Sequence, residues 1–491
     1  MKNKFNIKVI LLLSLTLIVW ACTQNFEETN TNPNSPTEVP VTNNLGGVIY
    51  NFGSGFMAPG NSAAQHANYI GSRLQLATQT YQSIGEEWGG YYGPLTNINS
   101  IIAASETAGN TNMQAVGLTF RAQMTHIATD YWRDMPYTEA CKAAEGNIAP
   151  VYDTQEEIYS FIIADLKKAA DLFKTGGADA IGAGDILLGG DVQKWRKYCN
   201  SLRLRVAIRI SDVDQAASLA IINEVLDNPT DYPVLESNDD NVELAWPGTS
   251  PYEEAYWYWW YCCHHDGAGK VLVDIMNGFN DPRLPIWFMP ATTDGKFRGS
   301  ELVGYNAEEF TREDISDYNP VFVSGNPSPT GLNEYGVKDG FFRYSEICFL
   351  KAEIFYRNLK TGNAQEEYEK GIESSMTQWG VADAAITTYM TEAGVPWEGT
   401  ADDLNKIYTQ KYLALYLMAN EGWAEARRTD VPVLPLASNS SYPDHNRAPF
   451  RLPYPQTEQA LNSKNCEEFL GNVEDFFWGQ QMWFDKRTGV N

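Results

Sequence analysis

Between residues 153 and 175, apolar side chains recur every three or four positions: Ile158, Phe161, Ile162, Leu166, Ala169, Leu172 and Phe173. That spacing lines one face of an α-helix and no face of a strand, so the segment reads as a helix with a stripe to bury. Thr154-Gln155-Glu156-Glu157 has the capping-box pattern, in which a Thr hydroxyl and a Glu carboxylate each satisfy a free backbone N–H of the first turn. Gly176-Gly177 stops the helix, because glycine readily takes the left-handed conformation that closes one. A single stripe is stable only when something covers it. The rest of the chain must therefore supply the partner.

Mostly it supplies more helices. Residues 191–210 carry Trp195, Cys199, Leu202, Val206 and Ile210 on one face, with Arg196, Arg203 and Arg209 on others. Residues 341–359 and 363–379 predict two antiparallel helices joined by Lys360-Thr361-Gly362. Asn363 with Glu366 caps the second, and Tyr368, Ile372, Met376 and Trp379 form its inner stripe. Two helices within about 40 residues resemble a tetratricopeptide unit. Residues 402–424 predict one more long helix, with Leu404, Ile407, Tyr408, Leu415 and Met418 in its pattern. Residues 228–340 differ, being rich in Pro, Gly, Asn and aromatics with one short helical pattern near 268–278, and 430–456 are similar. The expected fold is mainly α: a tetratricopeptide-like helical repeat scaffold whose long irregular insertions form a ligand-binding face.

Residues 1–21 read as a lipoprotein signal peptide. Lys2, Lys4 and Lys8 precede an apolar run, Val9 to Trp20, that is too short to span a bilayer and has the length of a signal-peptide core. Ala21-Cys22 then gives the pattern of a cleavage site at which the Cys becomes the first residue and is acylated. Trp20 departs from that pattern, which favours a small residue two before the Cys. The alternative is a plain secretory signal with an incidental Cys. Residues 22–45, rich in Asn, Thr, Pro and Glu, read as a lipidated polar tether, and 46–491 as a single helical domain with its irregular insertion at about 228–340. The expected anchor is the lipid on Cys22, because no other apolar run is long enough to cross a membrane.

Charge and cysteine usage narrow the function. With 36 Lys+Arg against 62 Asp+Glu the chain carries −26 at pH 7. That argues against a nucleic-acid partner, which needs a basic face, and against charge-driven binding to an anionic membrane. Cys141, Cys199, Cys262, Cys263, Cys348 and Cys466 are too few and too irregular for a disulfide framework. Cys262-Cys263-His264-His265-Asp266 holds metal-ligating residue types. Adjacent side chains point in different directions, however, and no second pair at ligand spacing exists, so no metal and no cofactor is expected. The chain has no G-x-S-x-G, no H-E-x-x-H and no phosphate-binding glycine loop. Glu253-Glu254 is the one carboxylate pair worth testing for glycoside hydrolysis, and a solvated face explains it better. No enzymatic activity is expected.

The aromatic residues are where recognition is expected. They make up 13% of the chain, and Tyr outnumbers Phe 27 to 21, so many rings carry a polar tip. Tyr256-Trp257-Tyr258-Trp259-Trp260-Tyr261 is six rings in a row, which no strand or helix can bury on one side. Exposed rings cost solubility unless they bind something. Gly85-Glu86-Glu87-Trp88-Gly89-Gly90-Tyr91-Tyr92-Gly93-Pro94 reads as a glycine-rich loop displaying further rings. The candidate platform is Trp88, Tyr92, Trp257, Tyr258, Trp259 and Trp260. The rival reading is that these rings plug or cover their own loops.

Several motifs in fixed order resemble one family. Asn32-Pro33-Asn34 follows Cys22. Asp130-Tyr131-Trp132-Arg133-Asp134-Met135-Pro136-Tyr137-Thr138-Glu139-Ala140 is similar to a "GDVPYTEA" motif, and Trp195 to Arg205 (WRKYCNSLRLR) to "W.K.ANSLRLR". Asp281-Pro282-Arg283-Leu284, Arg343-Tyr344-Ser345-Glu346 with Lys351-Ala352-Glu353, Glu421-Gly422-Trp423 with Arg427-Arg428, and Arg451 to Glu458 ending at Asn462 complete the set. The chain resembles the SusD/RagB family of outer-membrane nutrient-binding lipoproteins, in its SusD-like branch, over nearly the whole mature sequence. The resemblance implies a tetratricopeptide-containing body at the cell surface, seated as a lid on a SusC-like TonB-dependent transporter. It also implies an oligosaccharide ligand or, as in RagB-like members, a peptide. The motifs are structural and do not assign ligand residues. The expected function is glycan binding and delivery to the transporter, with peptide binding as the alternative and a secreted hydrolase as the remote one.

Overall fold

A computed structural model of the chain describes residues 41–57, 62–72, 86–246, 266–300, 312–319, 338–436, 444–469 and 478–491. The first helix among the described residues, α1 (Val41–Phe52), begins inside the stretch read as tether, so the boundary expected at 45/46 falls within a helix. Leu45, Val48, Ile49 and Phe52 of α1 are all buried, a stripe at helical spacing. A short helix, α2 (Ser62–His66), and a strand, β1 (Ile70–Ser72), come before α3 (Glu86–Ala108), on which α1 packs.

Next come α4 (Thr111–Trp132) and α5 (Gln155–Thr175), with α4 lying between α3 and α5. α4 is buried along nearly its whole length on every face, which is why it shows no apolar stripe. α5 is the helix expected from the stripe. Thr154 accepts the Glu157 N–H, the Glu157 carboxylate accepts the Thr154 N–H at 2.9 Å, and Gly176 closes the C-terminus at φ 76°. Phe161 is the exception on the stripe, being 38% exposed. α6 (Val192–Arg209) packs between α5 and α7 (Gln215–Asp227).

The expected irregular insertion is pinned by short antiparallel ladders. Strand β2 (Val242–Leu244) precedes β3 (Asp266–Ala268), helices α8 (Lys270–Gly278) and α9 (Leu284–Trp287), and strands β4 (Phe288–Met289), β5 (Asp317–Tyr318) and β6 (Asp339–Phe342). β1 pairs β3, β2 pairs β6 and β4 pairs β5.

The helical hairpin expected over 341–379 forms as α10 (Tyr344–Tyr356) and α11 (Ala364–Gln378), with the Asn363 side chain accepting the Glu366 N–H at 3.2 Å. Phe349, Tyr368, Ile372 and Met376 share a buried cluster between them. Trp379 is not on that inner stripe. It caps α11, is only partly buried, and meets Trp287 edge-on at 5.6 Å. After α12 (Asp383–Tyr389), the single helix expected over 402–424 is two, α13 (Asp403–Ala414) and α14 (Ala419–Thr429). Leu417 between them takes φ 70°, and because the turn is itself buried the apolar pattern runs through it unbroken. α15 (Gln456–Leu461) and α16 (Ser463–Cys466) complete a mainly α, tetratricopeptide-like scaffold.

Charged residues of the quoted motifs meet one another and neighbouring ions inside this scaffold. Arg205 donates to both oxygens of Glu346, at 2.7 and 2.6 Å. Arg209 holds Asp130 at 2.6 Å and also pairs with Glu421. Arg428 grips both oxygens of Glu353 at 2.7 Å, and Lys411 reaches Glu425 at 2.9 Å. Burial works to raise the Glu421 carboxyl, but Arg209 and Arg205 together hold it at about 2. Arg203, Arg205 and Arg209 of α6 are buried and pair with acids of other helices, while Arg196, half-buried, donates to the Thr230 and Asp231 carbonyls. Gly422 sits where a Cβ would collide with the Tyr69 ring, which accounts for glycine in that motif.

Candidate functional site

Trp88 and Tyr92 lie one turn apart, and that spacing puts both rings on the same helical face. The glycine-rich loop expected for residues 85–94 is instead the start of α3 from Glu86 onward. Gly90 is where α3 crowds Phe56, whose ring lies 3.2 Å from where a Cβ would stand. Packing gained against α1 and the 53–57 turn outweighs the poor helix propensity of three glycines and Pro94.

The rings are neither fully displayed nor fully plugged. Trp88 is partly buried, edge-on to Trp132 at 4.9 Å and to Tyr454 at 5.8 Å, with Tyr92 at 5.1 Å. Tyr92 donates its hydroxyl to the Pro136 carbonyl at 2.9 Å. Burial raises its pKa far above the ordinary tyrosine value, so it stays a neutral donor. Tyr91, between them, turns inward to Thr125 at 3.0 Å.

What Trp88 and Tyr92 leave open is a cavity of about 350 Å³, walled also by Pro136, Glu139, Cys141 and Glu458. Its wall from 136 to 150 is held by Asp153, whose carboxylate accepts the N–H groups of Tyr137 and Thr138 at 2.9 and 2.8 Å and the Thr138 hydroxyl at 2.7 Å. The Tyr454 hydroxyl, donating to the Asp134 carbonyl at 2.6 Å, ties the C-terminal segment to the same wall. Glu139 accepts the Val151 N–H at 3.1 Å and the Asn147 amide at 3.0 Å, and these bonds hold its carboxyl below the usual carboxylate range. Burial pushes the Cys141 thiol up, so it lines the wall in its protonated form.

Glu139 and Glu458 belong to structural motifs of the sequence, and nothing local marks them as site residues. Their motif positions were legible; their convergence on Trp88 was not. The remaining candidates, Trp257, Tyr258, Trp259 and Trp260, lie outside the described residues, as do Cys22, Cys262-Cys263-His264-His265 and Glu253-Glu254. The nearest described residues on the two sides of the six-ring run are Trp246 and Asp266. Trp246 donates its indole N–H to Asp339 at 2.8 Å and meets Tyr50 edge-on at 5.6 Å. On the other side, Asp266 pairs with Ser72 in the β1–β3 ladder.

A second cavity, about 440 Å³, opens between α5, α6 and α7. Its walls are mostly aliphatic, and the ions at its edge are already paired, Arg203 and Lys167 both with Glu224. It offers a polyhydroxylated ligand neither ring faces nor open acceptors.

This helical repeat scaffold is shared with solved structures. One is titled a chitin-binding protein: TM-score 0.74, 24% identity, covering 91% of this chain and 99% of that one. A SusD homolog from Parabacteroides distasonis superposes with TM-score 0.77 at 23% identity, covering 90% and 98%. A SusD-like protein from Bacteroides thetaiotaomicron gives 0.75 at 23%, covering 92% and 100%. At these identities the likeness is one of fold. No curated protein matches the chain. Residues 39–455 match the family described as starch-binding and associating with the outer membrane, and the chain belongs to this SusD-like family.

Proposed function

We propose that the protein is a non-enzymatic outer-membrane lipoprotein, anchored through Cys22, that binds oligosaccharides at the cell surface and passes them to a SusC-like TonB-dependent transporter. The observation that carries the binding reading is the pocket beside Trp88. It offers ring faces for the C–H face of a sugar and carboxylates for its hydroxyls, in a chain of a starch-binding family. Trp257, Tyr258, Trp259 and Trp260 are kept as further candidate ligand contacts, on the strength of their sequence alone.

Titration calorimetry against oligosaccharides and peptides tests this. Trp88→Ala is expected to weaken glycan binding about 5- to 30-fold, the worth of one stacked ring. Because Trp88 also touches Trp132 and Tyr454, circular dichroism must show the variant folded, and Trp88→Phe is expected to restore part of the affinity. Folded variants of Trp88, Trp257, Trp259 and Trp260 that all keep full affinity would place the site elsewhere. A peptide bound in place of every glycan would select the RagB-like reading, and a ligand consumed during titration a hydrolase. Cys22→Ala is expected to release the protein from the membrane fraction in a strain lacking the transporter. Retention there would refute the anchor.

A further inference from the structure

The pocket beside Trp88 carries more charge chemistry than a neutral sugar requires. Two carboxylates, Glu139 and Glu458, reach it from opposite parts of the sequence. Each has one oxygen committed to the scaffold. Glu139 Oε2 takes the Val151 N–H and the Asn147 amide, and Glu458 Oε1 takes the Tyr152 hydroxyl at 3.2 Å and the Asn462 amide at 2.8 Å. The other oxygen of each, Glu139 Oε1 and Glu458 Oε2, accepts no hydrogen bond among the described residues. Among the described residues, the carboxylates are thus fixed in place by one edge and open at the other. Lys142, the cation on the lining, is exposed and forms no ion pair among the described residues, although its charge helps hold the Glu139 carboxyl low.

An aromatic wall beside open carboxylates favours a particular ligand group. A ring quadrupole attracts a cation over its face, and a carboxylate accepts from an ammonium with roughly twice the strength of a neutral pair. The chain's −26 raises the local concentration of cations further. Resting on the glycan reading above, we infer that this pocket selects a sugar bearing a free amino group, a hexosamine whose ammonium lies between Trp88 and the open oxygens of Glu139 and Glu458. Neutral hydroxyls satisfy the same oxygens more weakly, and an N-acetyl group brings no charge.

The test compares oligomers of glucosamine, N-acetylglucosamine and glucose of equal length and linkage, titrated into the full chain at low and high salt. The glucosamine oligomer is expected to bind about tenfold or more tighter than the other two at low salt, the worth of one charge-assisted hydrogen bond. The preference should shrink as salt rises. It should fall in Glu458→Gln and in Glu139→Gln, each of which is expected to weaken the glucosamine oligomer more than the neutral ones. Cys141, on the pocket wall, gives an independent readout: bound glucosamine oligomer should slow its alkylation by iodoacetamide, followed on the peptide containing it. Equal affinity for the three oligomers, a preference that survives both glutamine variants, or alkylation that ignores the ligand would each overturn the inference. Tight binding of neutral glycans with no amine preference would leave the glycan reading standing and remove only this one. Failure of every glycan, the amino sugars included, would remove both.

Discussion

Asp339 is one residue through which the β2–β6 pair is expected to respond to pH. Its carboxyl is buried, with one oxygen accepting the Trp246 indole N–H at 2.8 Å and the other without a partner. Burial raises its pKa to about 8, against the pull of Trp246 and of the Arg343 guanidinium, while Glu243 on the paired strand pushes it higher. The sign follows from proton counting. Between the unfolded carboxyl value, about 4, and 8 the folded state holds a proton that the unfolded state lacks, so stability falls as pH rises through that window. Asp339→Asn keeps an oxygen for Trp246 and removes the titration. It is expected to gain stability relative to the parent at pH 8 and to gain less at pH 5, measured as denaturant midpoints. An equal effect at both would show that Asp339 does not titrate in that range. Nothing in the sequence marks this aspartate. Its character comes from what β2 and β6 bury around it.

At the scale of elements, what was legible depended on whether a helix has a wet side. α5 was read nearly to the residue because its stripe, cap and stop are all local. α4 was not, since it is buried all round. α13 and α14 were fused because the Leu417 turn is as apolar as the helices it joins. Relief of the left-handed strain at Leu417 would be worth roughly 1–2 kcal/mol. A buried leucine contributes about 1.5–3 kcal/mol, so the leucine is kept. The glycine-rich start of α3 looked like a loop on propensity, and tertiary packing overrode that.

Helix-to-helix ion pairs were quoted as motif letters without their partners. Arg205 of α6 and Glu346 of α10 stand 141 residues apart. Arg205→Met leaves Glu346 buried without its bidentate partner and is expected to cost about 3–5 kcal/mol in denaturant unfolding. Arg205→Met with Glu346→Leu should recover part of that loss, since it removes the orphaned Glu346 charge but still leaves Glu421 and the Phe341 carbonyl without Arg205. A double variant no more stable than the single would show that the pair contributes through geometry that hydrophobic packing cannot replace.

At the scale of the whole molecule, family and architecture were legible because ordered motifs and helical stripes are properties of the string itself. The pocket was half legible. Trp88 and Tyr92 stood out by chemistry alone. Glu139 and Glu458 did not, because their meeting is made by Asp153 bracing one wall and Tyr454 pulling the C-terminal segment onto it. No local pattern encodes a meeting between residues so far apart in the chain.

That Tyr454 tie makes the pocket a seam between the N-terminal helices and the tail of the chain. A sugar lying across Glu139 and Glu458 would be a suture over the seam, and binding to the folded state alone would tighten it in proportion to ligand excess. The backbone amides of residues 454–466 should then exchange with deuterium more slowly when the pocket is filled, while those of α11, far along the chain and in another packed cluster, should not. Protection spread evenly over both would mean that the ligand steadies the protein as a whole and the seam has no separate motion to arrest.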